Sequence, residues 1–328
     1  MEFSISLFFY IKEEYHMAHI TDRLSNARWG VFNHYLTGIQ NNPAHPNNQG
    51  AGMTSWDECV HALDAEKLAR GLHDCGAHYY FITLMQGNET MIAPNATFDE
   101  IAGTKPGEAC STRDLVLDLY DALKPYGIDL YLYYTGDGPY KHETIGRKFG
   151  FTEPRGDGVT MPFVEKWAAV LEEYAVRYGD KVKGWWIDGC YRDYFRYDDA
   201  LLTPYYNAVK KGNPDALAAF NNGVKPYYEK NYEKEDFVCG EFNDFFVVPR
   251  TRFINGAQAF LLAPLGISPD GSEWGGWGQP GVKRDSAYLR NFIACCNASG
   301  GAVTVDIALN RDGSFDPAQA ETLAGIGI

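Results

Sequence analysis

The stretch VKGWWIDGCYRDYF, Val182 to Phe195, sets one carboxylate, Asp188, at the end of an apolar run and directly before Gly-Cys-Tyr. Such an aspartate caps the element that follows, pairs with Arg192, or stands as a chemical group at the mouth of a barrel. The first two duties are structural and the third is functional. The runs on either side of the stretch discriminate among them, because they say what kind of sheet this strand belongs to.

Short β-rich runs alternate with amphipathic stretches from about residue 29 onward. The strand-like runs are WGVFNHYL, HYYFITLM, IDLYLYYTG, VKGWWIDG, ALAAFNNG, DFVCGEFND, AQAFLLAPLG and AVTVDIALN. Helical patterns fill most gaps, among them SWDECVHALDAEKLARGLHDCG, in which Cys59, Leu63, Leu68, Leu72 and Cys75 follow a helical stripe. Ser55 and Asp114 are placed to cap helix starts, and Gly76 and Gly127 to end helices. Strands alternating with helices imply a parallel sheet, and eight of them predict a (β/α)8, TIM-like barrel. The units after FNNG and EFND are weak in helix, so the barrel is expected to be irregular around strands five and six. An open doubly wound sheet is the alternative, but no GxGxxG follows an early strand and no GxxxxGK[ST] occurs. With no internal repeat or Pro/Ser-rich linker, residues 17–328 read as a single catalytic domain. Residues 1–16 read as an extension that adds nothing to the fold.

In a barrel of this kind the active site lies at the C-terminal ends of the strands. The polar residues there are His34, then Gln86, Asn88 and Glu89, then Tyr134 and Asp137, then Asp188. Asn221, Asn222, Glu241, Asn243 and Asp244 follow, and Asp306, Asn310 and Arg311 end the last run. The loop SPDGSEWGGWGQPG adds Trp274 and Trp277. Carboxylates, amides and indoles on one rim suit a sugar. Asp188 and Glu241 are the expected catalytic pair, since a retaining glycosidase needs a nucleophile and an acid/base about 5–5.5 Å apart. The apolar neighbours of Glu241 would raise its pKa toward that of a proton donor. Glu273 and Glu89 are rival donors. His34, Gln86, Glu89, Tyr134, Trp186, Asn222, Trp274 and Trp277 are the expected substrate-binding residues. Each also has a structural reading: His34 closing the barrel, the indoles packing at an interface.

The formal charge of −14 argues against a nucleic-acid partner and against an anionic membrane surface. No run of eighteen apolar residues occurs. The seven cysteines are scattered without CxxC spacing, which indicates neither a disulfide framework nor a zinc site and suits a reducing, cytoplasmic compartment. His45 and His142 lack companions for a metal site, so no metal or cofactor is expected. A carbohydrate is the expected partner, and a homo-oligomer is left open.

ALDAEKLARGLHDCGAHYYFIT resembles the segment of family 29 glycoside hydrolases, the α-L-fucosidases, that leads into their second strand. RWGVFNHYLTG resembles their first strand, RDLVLDLYDALKPYGIDLYLYYTGD their third helix–strand unit, and GWWIDG the strand carrying their nucleophile. The final helix and strand, with the Asp312-Gly313 turn, resemble the family's ending. The resemblance implies a retaining exo-glycosidase acting on terminal fucose or a related sugar. It puts the nucleophile on Asp188, the tryptophan two residues earlier on Trp186, and a sugar-binding histidine on His34. The chain departs from the pattern in three places. Met85-Gln86-Gly87-Asn88-Glu89-Thr90 replaces the paired histidines of strand two, FLLAPLG replaces the polar strand-seven run, and Asn221-Asn222-Gly223 lacks the following arginine. The C-terminal β-sandwich of many members is also not expected. These departures leave open a different sugar specificity, a catalytically silent sugar-binding barrel, and a metal-dependent hydrolase on the same barrel.

Overall fold

A computed structural model describes residues 18–87, 89–151, 159–272 and 275–328. The expected extension 1–16, together with Asn88, Glu273 and Trp274, lies outside the described residues. Among the described residues nine strands form: β1 Trp29–Asn33, β2 Tyr79–Thr83, β3 Asp129–Thr135, β4 Val182–Asp188, β5 Leu217–Phe220, β6 Phe253–Ile254, β7 Ala257–Gln258, β8 Phe260–Pro264 and β9 Ala302–Ile307. Seven of them make one parallel sheet in the order β5-β4-β3-β2-β1-β9-β8, and β6 with β7 is a small antiparallel hairpin. Each strand thus lies beside its predecessor in the chain, with the last two closing around β1. This curled sheet fits a TIM-like barrel.

Because side chains alternate across a strand, each strand feeds two cores. Tyr79, Phe81, Tyr131, Tyr133, Trp186, Leu217, Ala219, Phe260, Leu262 and Phe32 pack on the inside. Tyr80, Ile82, Leu130, Leu132, Trp185, Ile187, Val303 and Val305 face the helices. The inner layer is aromatic and tight, and glycines make room for it. A Cβ on Gly30 would stand 2.4 Å from the Tyr79 ring, and one on Gly184 would stand 2.9 Å from that of Tyr131.

The helices start where short polar side chains accept their free N–H groups. Ser55 caps Trp56–His61 in a capping box with Glu58, and Asp114 caps Leu115–Leu123. The expected helix over 55–76 is two helices. Asp64 accepts from Lys67 N and starts a second one, Ala65–Cys75, which ends at Gly76 with φ +80°. The apolar stripe runs through both, since Cys59, Leu68 and Leu72 are all buried.

The sixth expected run, DFVCGEFND, is not a ladder strand. It lies between the edges of β5 and β8 and is held by single contacts. Phe237 and Glu241 form isolated parallel bridges to Gln258 and Leu262, and Val238 N and Phe242 N each donate at 3.0 Å to the carbonyls of those residues. On the β5 side, carboxylates stand in for a backbone partner: Ala218 N donates to Asp236 at 2.9 Å and Phe220 N to Glu235 at 3.2 Å. The free N–H groups of β5 are thereby satisfied without a regular neighbour. No helix intervenes between Phe220 and Phe260. Gly240 is the tightest point of the run, since at φ +51° its Cβ would stand 1.8 Å from the Phe260 carbonyl oxygen. No helix among the described residues is long and apolar enough to cross a membrane.

Candidate active site

The inward parity that buries Tyr131, Tyr133 and Trp186 continues upward, so the next inward position on β4 is Asp188. Register places Tyr133 opposite Trp186, and the two rings stack at 5.4 Å. The Tyr133 hydroxyl consequently reaches past the indole and donates to Asp188 Oδ2 at 2.6 Å. Asp188 Oδ1 accepts from Asn221 Nδ2 at 2.7 Å and from the Tyr191 hydroxyl at 3.3 Å. Gly189 follows at φ +70°, where a Cβ would lie 2.9 Å from the Asp137 carboxyl carbon. Neither structural duty falls to Asp188. The short helix Arg192–Phe195 has Tyr191 as its cap residue, and Arg192 pairs with Asp199 at 2.5 Å.

Asn221, the first inward residue beyond β5, divides its amide between two carboxyl groups. The same nitrogen that meets Asp188 donates to Glu241 Oε2 at 2.6 Å. The two oxygens it joins therefore lie within 5.3 Å of one another. Burial raises the Glu241 pKa to about 8, the neighbouring Asp188 charge adds to the rise, and the Asn221 hydrogen bond offsets part of it. One carboxyl group surrounded by three donors thus faces a second whose burial favours its protonated form.

Both groups open on a cavity of about 210 Å³ lined by Phe32, His34, Leu36, Ile39, Gln86, Tyr133, Trp186, Asp188, Glu241, Leu262 and Trp277. His34 Nδ1 lies 2.8 Å from Asp306 Oδ1, and the Asp306 Oδ2 accepts from Gly278 N at 2.7 Å. Trp277 stands edge-on to the His34 ring, 6.1 Å between centroids. The lining combines the apolar side chains of Phe32, Leu36, Ile39 and Leu262 with the polar groups of His34, Gln86, Tyr133, Asp188 and Glu241.

Of the residues expected from sequence, His34, Gln86, Trp186, Asp188, Glu241 and Trp277 come together in this cavity. Tyr134 does not. It points outward, stacks on Trp167 at 5.1 Å and donates to the Trp167 carbonyl at 3.1 Å. Parity assigns the inward place to Tyr133. Asn222 is likewise turned away, accepting from Arg192 N at 2.9 Å and donating to Glu229 at 2.9 Å, so it organises the loop. Asn221 takes the position between the carboxyl groups. Glu89 is not among the residues that line the cavity. Trp274 and the rival donor Glu273 lie outside the described residues. Asp306, placed on the rim by its strand end, turns out to be fully buried beneath His34. Strict alternation from Tyr131 on β3 and from Leu217 and Ala219 on β5 would have found Tyr133 and Asn221.

Other chemistry is less well served. Burial pushes the Cys190 thiol well above its usual range, which leaves it a poor nucleophile. Among the described residues, no group of three His, Cys, Asp or Glu is arranged to hold a metal ion.

No family model matches the chain, and no curated protein does. Solved structures do. The α-L-fucosidase AlfC from Lactobacillus casei, in complex with its α-L-fucose product, is 17% identical with a TM-score of 0.62, over 93% of this chain and 96% of that one. An α-L-fucosidase from Bacteroides thetaiotaomicron is 18% identical with a TM-score of 0.63, over 95% of this chain and 73% of that one. The endo-fucoidan hydrolase MfFcnA4, of glycoside hydrolase family 107, is 14% identical with a TM-score of 0.67; 93% of this chain matches 53% of its length, so this chain spans about half of it. At these identities the likeness is one of fold, the TIM-like barrel.

Proposed function

We propose that this chain is a retaining exo-glycosidase that removes a terminal fucose, or a sugar of related configuration, through a covalent glycosyl–Asp188 intermediate. The observation that carries the reading is the Asn221 amide joining Asp188 to Glu241 at the head of a cavity the size of one sugar ring. The fold's likeness to α-L-fucosidases and fucoidan hydrolases supports the substrate class.

In the first step Glu241 gives its proton to the glycosidic oxygen while Asp188 attacks the anomeric carbon. The C–O bond to the leaving group breaks, an ester bond to Asp188 forms, and Glu241 is left as a carboxylate. Forming the ester also neutralises Asp188. Since the Asp188 charge helps to raise the Glu241 pKa, its loss lowers that pKa and readies Glu241 to act as a base. Glu241 then takes a proton from water, the water oxygen attacks the anomeric carbon, and Asp188 leaves. Two displacements restore the original configuration. Tyr133 and Asn221 hold the nucleophile in place, and Trp186 with Phe32 shields the reacting carbon from bulk water.

A silent sugar-binding barrel would leave Glu241 turned into the wall, whereas here it lines the cavity with Asp188. Gln86 stands in that cavity where the resembled family has histidines. The sugar is therefore chosen by a screen of aryl glycosides that includes α-L-fucoside, α-L-rhamnoside and both galactosides. We expect α-L-fucoside to be hydrolysed and the first product, followed by NMR, to keep its anomeric configuration. We expect Asp188→Ala to lower kcat by about 10³-fold or more. An inverted first product, or wild-type turnover by Asp188→Ala, would exclude the covalent mechanism.

A further inference from the structure

Asp306 has no part in the proton and bond changes above, yet it is a carboxyl group with no exposure at all, seated directly under the sugar cavity. A buried carboxylate is costly unless its oxygens are satisfied. Asp306 is satisfied by His34, which lines the cavity, and by Gly278, the neighbour of the lining residue Trp277. β1 and β9 pair with Phe32 opposite Asp306, which brings His34, the next inward residue of the first unit, beside the carboxyl. One oxygen meets His34 Nδ1 and the other accepts from Gly278 N, one residue beyond Trp277. The loop is close-fitting at this point. Gly278 has φ +64°, and a Cβ there would lie 3.2 Å from Ile39 and 3.4 Å from His34.

We propose that Asp306 is a positioning residue of the sugar site, which sets the hydrogen of His34 on Nδ1 and with its second oxygen ties the Trp277 loop to the barrel. A carboxylate can only accept, so the ring nitrogen that faces it carries the hydrogen. Nε2 is then the atom that His34 offers to the cavity, and in the neutral ring it offers a lone pair. The matching ligand group is a hydrogen-bond donor, a free sugar hydroxyl. A methyl ether or a sulfate ester at that hydroxyl would bring no hydrogen and is rejected. One buried carboxylate thereby fixes both the hydrogen-bond sense of the histidine and the placement of the indole beside it. This inference rests on the cavity being a sugar site, and its test has one arm that does not depend on turnover.

The test uses the full chain, its Asp306→Asn variant and, for assignment, His34→Ala. Asparagine keeps an oxygen for Gly278 N but turns an NH2 toward His34, which forces the ring hydrogen onto Nε2. At pH 8, ¹⁵N–¹H correlation of the histidine rings should show Nδ1–H for the signal absent from His34→Ala, and Nε2–H in Asp306→Asn. On the aryl glycoside hydrolysed by the wild type, kcat/KM of Asp306→Asn should fall on the order of 10–100-fold, mainly through KM. A wild-type His34 carrying its hydrogen on Nε2 overturns the proposal without any variant. So does a folded Asp306→Asn protein with kcat/KM within about twofold of wild type. If no glycoside in the screen is hydrolysed, the proposed reaction fails, while the tautomer measurement still decides the role of Asp306.

Discussion

Asp188 and Glu241 face each other across one cavity but are held there in unlike ways. Asp188 ends a seven-residue strand paired on both sides, with Thr135 opposite it in the ladder to β3. Its place follows from register, and register in a buried sheet is strongly specified. Glu241 belongs to a run with no ladder, pinned by two isolated bridges, two borrowed carboxylates and one glycine. The nucleophile candidate therefore sits on a strand laddered on both sides, and the proton-donor candidate on a run held by isolated bridges. An irregular run can leave a carboxyl enclosed by neighbours it does not pair with. The raised Glu241 pKa is the chemical consequence of that enclosure.

The sharpest way to break this contrast is Gly240→Ala. The new Cβ would stand 1.8 Å from the Phe260 carbonyl in a left-handed backbone conformation. A loss of roughly 3 kcal/mol or more of stability is expected in denaturant melts, with activity falling alongside. A fully stable and active variant would show that the run is not seated as described. Asn221→Ala tests the link between strand and run. We expect kcat/KM to fall on the order of 10–100-fold as both carboxyl groups lose a donor. The pH profile carries the finer information. A proton donor works only while protonated, so activity is present below about pH 8 and is lost as pH rises through that value. The Asn221 bond lowers the Glu241 pKa, so removing it should move the alkaline limb to higher pH; a limb that stays put would detach Glu241 from that role. The smallest effects separate two adjacent tyrosines. Tyr133→Phe frees one Asp188 oxygen and should lower kcat/KM about tenfold, whereas Tyr134→Phe should leave kcat/KM near wild type and reduce stability by about 1 kcal/mol. The opposite ranking would place the wrong ring inside the barrel.

Much of this was readable in one dimension. The alternation of strand and helix patterns, the capping residues Ser55 and Asp114, and the carboxylate after Gly-Trp-Trp-Ile each depend on neighbours a few residues away. His34, Gln86, Asp188 and Glu241 follow from strand ends, Trp277 from the loop after the seventh run and Trp186 from its place before Asp188, and the fold collects all six in one cavity. Tyr134 and Asn222 were each one position off. In strands buried on both faces, polar and apolar residues do not alternate visibly, so a tyrosine pair or an asparagine pair gives no sign of which member faces in. That choice is made by the barrel axis, through contacts such as Gly30 against Tyr79 that join neighbouring strands far apart in the chain.

The sequence by itself determined the order of strands and helices and the rim on which carboxyl groups, amides and indoles would gather, because periodicity and capping are local. Tertiary structure alone decided which of those groups share a hydrogen bond. The Asn221 amide meets Asp188 from 33 residues away and Glu241 from 20, and His34 meets Asp306 from 272. Those distances along the chain are erased only when the sheet curls and brings its strand ends to a common centre.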